Sequence, residues 1–275
     1  MRIVTYNIQY WTGMDRERRP ERTLAAVQEM APDIIALQEV VHPLDDVEGP
    51  SPLEEMARHM GGAFVFAPIW PGGTLSHIPG PMGIALVSRY PILAHAVHTL
   101  DPLDAKPPRR ALEVRVALPD GRHLILYTTH LDWRSEEVRA TQVRSLLRWT
   151  TRDVGRAHLV LGDFNSVHPR DIPVYEELTG LPWSRFVERV EEEYPQAPRE
   201  PRAIPLIVRR GYEDAFLLAG EGDLRTYTTA DPTLRLDYCF LDPVLKSSVR
   251  RARRWDTELG RTASDHYPLV VDLEI

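Results

Sequence analysis

Four apolar runs rich in β-branched residues constrain this chain more than any other feature, because each stops at a residue able to do chemistry. Arg2 to Tyr6 stops at Asn7, and Asp33 to Leu37 stops at Gln38-Glu39. Leu124 to Thr129 stops at His130, and His158 to Leu161 stops at Gly162-Asp163. Runs this continuous suit strands covered on both faces, so the pattern predicts an α/β or layered α+β architecture. Two short stretches, Gly162-Asp163-Phe164-Asn165 and Ser264-Asp265-His266, each set a carboxylate beside an amide or an imidazole. With Asn7, Glu39, His130 and Asp237 they predict one acidic, oxygen-rich pocket assembled from strand ends. Such a pocket suits a hard divalent cation and the cutting of a phosphate ester.

Helical patterns lie between the runs. Glu21 to Met30 places Leu24, Val27 and Met30 on one side, and Ser135 to Asp153 is the clearest helix. Ser135 is its expected N-cap, with Val138, Val143, Leu146, Leu147 and Trp149 turned mostly inward. Ile84 to Ser88, Leu112 to Leu118 and Leu234 to Leu241 read as hairpin-like strands, with a turn at Pro119-Asp120-Gly121. Long loops are expected over 71–81 and 188–202. The chemically capable residues span positions 7 to 266, so any division would split the site; residues 1–275 are read as a single domain.

The 43% hydrophobic content supports a sizeable core, yet no apolar run approaches the roughly 18–20 residues that cross a bilayer. The start of the sequence lacks the basic and apolar segments of a secretory signal. The one cysteine, Cys239, excludes an internal disulfide and reads as inert core. These features predict a cytoplasmic protein with no stable membrane association and no indicated protein partner. A net charge of −7 is not the broadly basic footprint of a protein that holds nucleic acid by counterion release. Carboxylates facing a metal would soften that exclusion, so nucleic acid stays among the substrates allowed. Lys106 and Lys246 are the only lysines; the arginine bias and 24 prolines establish neither genome composition nor thermal adaptation.

The segments Thr5-Tyr6-Asn7, Leu37-Gln38-Glu39-Val40, Gly83 to Ile92, Thr129-His130-Leu131-Asp132, Gly162 to Asn165, Arg235 to Tyr238 and Ser264 to His266 occur in that order. Together they resemble the endonuclease/exonuclease/phosphatase superfamily, which includes deoxyribonucleases, abasic-site repair nucleases, inositol-phosphate phosphatases, sphingomyelinases and deadenylases. The resemblance covers almost the whole chain. It implies a four-layer α/β sandwich, with two mixed β-sheets face to face and helices outside.

It also implies roles. Glu39 would be the main Mg²⁺ ligand, with Asn7 and Asp265 near the same ion. Oxygen donors without a cysteine cluster favour Mg²⁺, or Mn²⁺ as a substitute, over structural zinc. Asp163 would orient or deprotonate the attacking water, and Asn165 would hydrogen-bond a phosphoryl oxygen. Asp237 would fix the tautomer of His266 and favour its protonated form, which stabilises the phosphoryl group. His130 would face that phosphate from the other sheet. Each residue has a plainer reading: a solvated strand end for Glu39, a turn or cap for Asp-Phe-Asn, a satisfied core histidine for either imidazole.

Departures narrow the choice. Abasic-site repair nucleases carry an acidic residue where this chain has Gln9, and a tyrosine where it has His130. Arg110 is expected to approach the pocket from the start of a strand, and Trp11 and Trp133 to flank its mouth. Arg139 and Gln142 read as structural, and Arg250 to Arg254 as a solvated edge strand or a phosphate-binding cluster. The resulting expectation is a Mg²⁺-dependent phosphoesterase with phosphodiesters favoured. The alternatives are a nuclease acting on DNA or RNA, a non-catalytic phosphate-ligand-binding protein of the same fold, and a lipid-headgroup phosphodiesterase.

Overall fold

The computed structural model describes residues 1–44, 49–70, 78, 80–102, 107–190 and 199–275. Its strands are β1 (Arg2–Asn7), β2 (Ile34–Val41), β3 (Ala63–Trp70), β4 (Met82–Ser88), β5 (Ile92–Thr99), β6 (Arg110–Ala117), β7 (His123–His130), β8 (His158–Asp163), β9 (Glu213–Asp214), β10 (Asp237–Leu241), β11 (Val249–Arg254) and β12 (Leu269–Leu273). They form two six-stranded sheets, ordered β11-β12-β1-β2-β4-β3 and β5-β6-β7-β8-β10-β9. Each sheet is antiparallel except for one central parallel pair, β1 with β2 and β7 with β8.

Successive side chains on a strand point to opposite faces, and here both faces are apolar. Ile3, Ile34 and Ala36 of the first sheet meet Leu126, Leu159 and Leu161 of the second. On the outer face, Val4, Ile35 and Leu37 pack on Val27 and Met30 of α1 (Pro20–Met30) and on Met56 of α2 (Pro52–Met60). The second sheet turns Ile125, Tyr127 and Val160 outward onto Val143 and Leu146 of α3 (Glu136–Thr150) and onto the helix Ala203–Arg209. The layers are therefore helix, sheet, sheet, helix: the four-layer α/β sandwich with two mixed sheets face to face.

Each buried Val, Leu or Ile stabilises this stack by roughly 1.5–3 kcal/mol, whichever face it takes. Apolar burial alone therefore discriminates weakly against a one-residue slip. A buried polar bridge supplies the discrimination. Thr5 Oγ1 donates to Gln38 Oε1 at 3.2 Å, and Gln38 Nε2 donates across the sheets to Thr128 Oγ1 at 3.2 Å. A slip would leave these groups unpaired, at a cost of about 1–3 kcal/mol each.

Ser135 caps α3 through Val138 N, although the α-helix ends at Thr150 and a 3-10 turn completes the expected span. Trp149 departs from its expected inward placement: it is 38% exposed and stacks on His98 at 4.1 Å. It sits in the last turn of α3, over the edge strand β5 that carries His98. The run from Leu234 joins the sheet only at Asp237, because Arg235 is drawn into a buried ion network. There it meets Asp171 at 2.8 Å and Asp214 at 2.7 Å. Cys239 is buried between the sheets, and burial pushes its thiol up. Much of the loops expected over 71–81 and 188–202, and Lys106, lies outside the described residues. No helix among the described residues is long and apolar enough to cross a membrane.

Candidate active site

Parallel neighbours end at the same edge, so both central pairs deliver their last residues to one end of the sandwich. Asn7 lies beside Gln38, and His130 beside Asp163. The antiparallel β10 starts at that edge, setting Asp237 opposite Asp163. Two backbone features then aim the side chains. At Glu39 the register shifts between Leu37 and Val40 and φ is +56°, a bulge that redirects the carboxylate. At Gly162 φ is +141°, and a Cβ would sit 2.0 Å from the Thr129 carbonyl oxygen. Only glycine lets β8 lie this close to β7 just before Asp163.

Asp163 is the hub. Its Oδ2 accepts from Asn7 Nδ2 at 3.0 Å and lies 3.6 Å from His130 Nε2 and 3.8 Å from His266 Nε2. Its Oδ1 accepts from the Asn165 backbone at 2.9 Å, while Asn165 Nδ2 donates to Leu131 O at 3.1 Å. His266 Nδ1 is 2.8 Å from Asp237 Oδ2. Burial opposes a charge on His266, but Asp237, Asp163 and Asp265 outweigh it and raise the imidazole to about 10. His130 goes the other way: burial and the nearby Arg109 lower it to about 3, leaving it neutral at pH 7. Two histidines thus flank one carboxylate in opposite charge states.

On the other side lie Glu39 and Asp265. Burial, then the charge of Asp265, pushes Glu39 up to about 7, although His266 and Asn7 oppose the shift. Burial also raises Asp265. Gln9 Nε2 donates to Asp265 Oδ2 at 2.9 Å, and Ser264 Oγ ties that loop to Asn7 O at 2.7 Å. Two half-buried carboxylates, each with a raised affinity for protons, form an oxygen-donor set that a divalent cation would relieve. The residues present therefore fit such an ion. Asp163, Asp237 and His266 also bring one ligand atom each within 4.8 Å of one another and can hold a metal. The Asp237 hydrogen bond on His266 Nδ1, however, marks that trio as an ion-paired donor group.

A cavity of about 350 Å³ opens onto Glu39, His130, Asp163, Asn165, Asp265 and His266. Asn7 and Asp237 stand behind it, bonded to Asp163 and His266. Trp133, 47% exposed, lines its wall, whereas Trp11 is buried in the core and donates to Val41 O at 2.9 Å. Arg110 does not line this cavity; it faces a neighbouring groove beside His42, Phe66 and Pro81. Arg109 lines the cavity instead, because consecutive residues point to opposite sides. Its signal lay in the same Arg-Arg pair, but the choice depends on where β6 begins. Tyr10, Trp70 and Tyr227, also in the wall, carried no sequence signal beyond being aromatic.

Arg139 and Gln142 shape the loop after His130: Arg139 Nη1 donates to Asp132 O at 3.0 Å, and Gln142 Oε1 accepts from Asp132 N at 2.8 Å. The arginines of β11 are engaged within the protein. Arg250 pairs with Glu274, Arg251 with Glu221 and Arg254 with Asp256, while Arg253 stacks on Trp255 at 4.6 Å.

A carboxylate held between two imidazoles thus stands beside an oxygen-donor set at one edge of the double sheet. The chain belongs to the endonuclease/exonuclease/phosphatase family, whose model matches residues 4–266 and whose members are generally metal-dependent phosphoester hydrolases. Similar solved structures include an endonuclease/exonuclease/phosphatase from Beutenbergia cavernae, 20% identical with a TM-score of 0.73, covering 100% of this chain and 71% of that one. The human Nocturnin catalytic domain with bound sulfate is 21% identical with a TM-score of 0.68, covering 100% and 93%. The 3′ phosphatase NExo from Neisseria, bound to product DNA hairpin, is 20% identical with a TM-score of 0.67, covering both chains fully. At these identities the likeness speaks for the fold. The sequence matches no curated protein.

Proposed function

We propose that this chain is a phosphoesterase dependent on a divalent cation, acting on phosphodiesters ahead of monoesters, with Mg²⁺ as its ion and Mn²⁺ as a substitute. Glu39, Asp265 and Asn7 would hold the ion, which when bound neutralises charge on the phosphoryl and leaving oxygens. The rest is done by side chains. Asp163 takes the proton of the attacking water, and the Asn7 amide on Oδ2 fixes its direction. His266, protonated and braced by Asp237, donates to a phosphoryl oxygen as negative charge builds there. His130 donates a neutral hydrogen bond from the opposite side, and Asn165 holds the same phosphoryl group from the loop beyond β8.

The observation that carries this reading is the convergence on one buried carboxylate, Asp163, of Asn7 and both imidazoles within 3.0–3.8 Å. The test is a screen of metal-stripped protein, with and without Mg²⁺ or Mn²⁺, against bis-p-nitrophenyl phosphate, oligonucleotides, inositol phosphates and phospholipids. Metal-dependent release of a phosphate ester product is the expected result. Cleavage confined to oligonucleotides would make the protein a nuclease, and no cleavage of any ester would leave only a binding role.

A further inference from the structure

Among the described residues three arginines are strongly buried, and two of them show what a structural arginine looks like here. Arg235, 0% exposed, binds Asp171 through Nε at 2.8 Å and Nη2 at 3.1 Å. It binds Asp214 through Nη1 and Nη2, and lies over the Tyr238 ring at 4.4 Å. Arg139, also 0% exposed, bonds Glu136, Asp132 O and Trp133 O. Both are closed off by their partners.

Arg109 differs. It is 4% exposed, yet its Nε and Nη1 have no hydrogen-bond partner among the described residues, and it lines the cavity. The carboxylates close enough to act on it, Asp132, Glu39 and Asp163, are engaged elsewhere: Asp132 by Arg134 at 2.8 Å, Glu39 by Tyr10 and Asn7, and Asp163 by Asn7 at 3.0 Å. A guanidinium taken out of water without partners destabilises a fold, so its retention needs an anion that arrives later. Its backbone is fixed in advance, with Pro107 and Pro108 before it and its carbonyl accepting from Leu100 N at 2.9 Å. The guanidinium fork matches two oxygens of a phosphate.

We propose that Arg109 is the cavity's built-in phosphate-binding group, its free Nε and Nη1 receiving non-bridging oxygens of the substrate. This rests on the phosphoesterase reading and adds a catalytic residue to it. The cation of Arg109 enters from the His130 and Glu39 side, while that of His266 enters from the Asp237 side. A tetrahedral phosphate between them is held from both flanks above Asp163. Neutral His130 needs no charge of its own, because Arg109 supplies one on that flank.

The experiment compares wild type, R109Q and R109K in the presence of Mg²⁺, measuring thermal stabilisation by inorganic phosphate and turnover of bis-p-nitrophenyl phosphate. Phosphate should stabilise wild type and fail to stabilise R109Q, with R109K between them because it keeps charge but loses the fork. The kcat/KM of R109Q should fall by roughly ten- to hundredfold, the loss of one charged hydrogen-bonding group. Without phosphate, R109Q should melt at or above the wild-type temperature, because an unpaired buried charge has gone. A lowered melting point would make Arg109 structural and overturn the proposal. So would phosphate stabilisation equal in R109Q and wild type, or absent from wild type. If wild type binds phosphate but turns over no ester, the phosphoesterase reading fails while the phosphate measurement still decides Arg109.

Discussion

His266 Nδ1 and Asp237 Oδ2 are 2.8 Å apart, and both residues are buried. This pairing spends the imidazole's rear nitrogen on Asp237 and leaves Nε2 directed toward Asp163. Asp237→Asn should keep the shape while removing the charge that holds the proton on His266. We expect kcat to fall by roughly a hundredfold or more with the melting temperature little changed. Steady-state kinetics beside a thermal melt checks this, and a kcat near wild type would remove Asp237 from the mechanism.

Asp163→Ala removes the acceptor shared by Asn7 and both histidines. Turnover should drop by about two orders of magnitude or more, while circular dichroism stays that of the native fold. His266→Ala should behave alike. Because these groups act on one phosphate, the double variant should lose much less than the product of the two single losses.

Metal removal gives a third expectation. EDTA should abolish activity, and Mg²⁺ or Mn²⁺ should restore it; rescue by zinc alone would contradict the oxygen-donor argument. Independently of activity, saturating Mg²⁺ should stabilise the protein by about 3 kcal/mol at a hundredfold excess over Kd. Glu39→Gln should lose most of that gain in a calorimetric melt.

His168, remote from the catalytic carboxylates, sets a pH dependence of stability. Its Nδ1 accepts from Arg170 N at 3.0 Å, a geometry that requires an unprotonated nitrogen. Burial lowers it to about 4; Asp214 opposes the shift, while Arg235 and Arg170 add to it. The unfolded chain therefore takes up this proton first, near pH 6.5. Stability from His168 is fully present above pH 6.5 and is lost as pH falls toward 4, by up to about 3 kcal/mol. Asp171, raised to about 6 by burial, works in the opposite sense, losing stability as pH rises through 6. His168→Asn keeps an N-cap acceptor without titrating. Urea unfolding of both proteins from pH 4 to 8 should show the difference shrinking toward acid; a constant difference would refute the assignment.

The strands were legible in the sequence because two-sided burial writes itself as unbroken apolar runs, and strand ends fall where those runs meet Asn7, Glu39, His130 and Asp163; their stacking as a four-layer sandwich came from the family resemblance. What the runs could not show is direction. Glu39 depends on a bulge, and Arg109 against Arg110 depends on a one-residue choice of strand start. Trp149 fitted a helical stripe, but it sits over the edge strand β5, where His98 and Arg152 cover it only in part. Arg235 looked like part of a strand because its buried ion partners, Asp171 and Asp214, are far away in sequence.

β1 sits in the middle of its sheet, with β2 on one side and β12 on the other. A ribosome therefore makes this central strand long before its second neighbour. Until residues 269–273 emerge, one flank of β1 has no mate, and Asp265 and His266 have only just appeared beside Asn7. Contacts of such long sequence separation fold slowly. The nascent protein should thus gain its chemistry in a single late step, and exposed β1 is where a holding chaperone would be most useful.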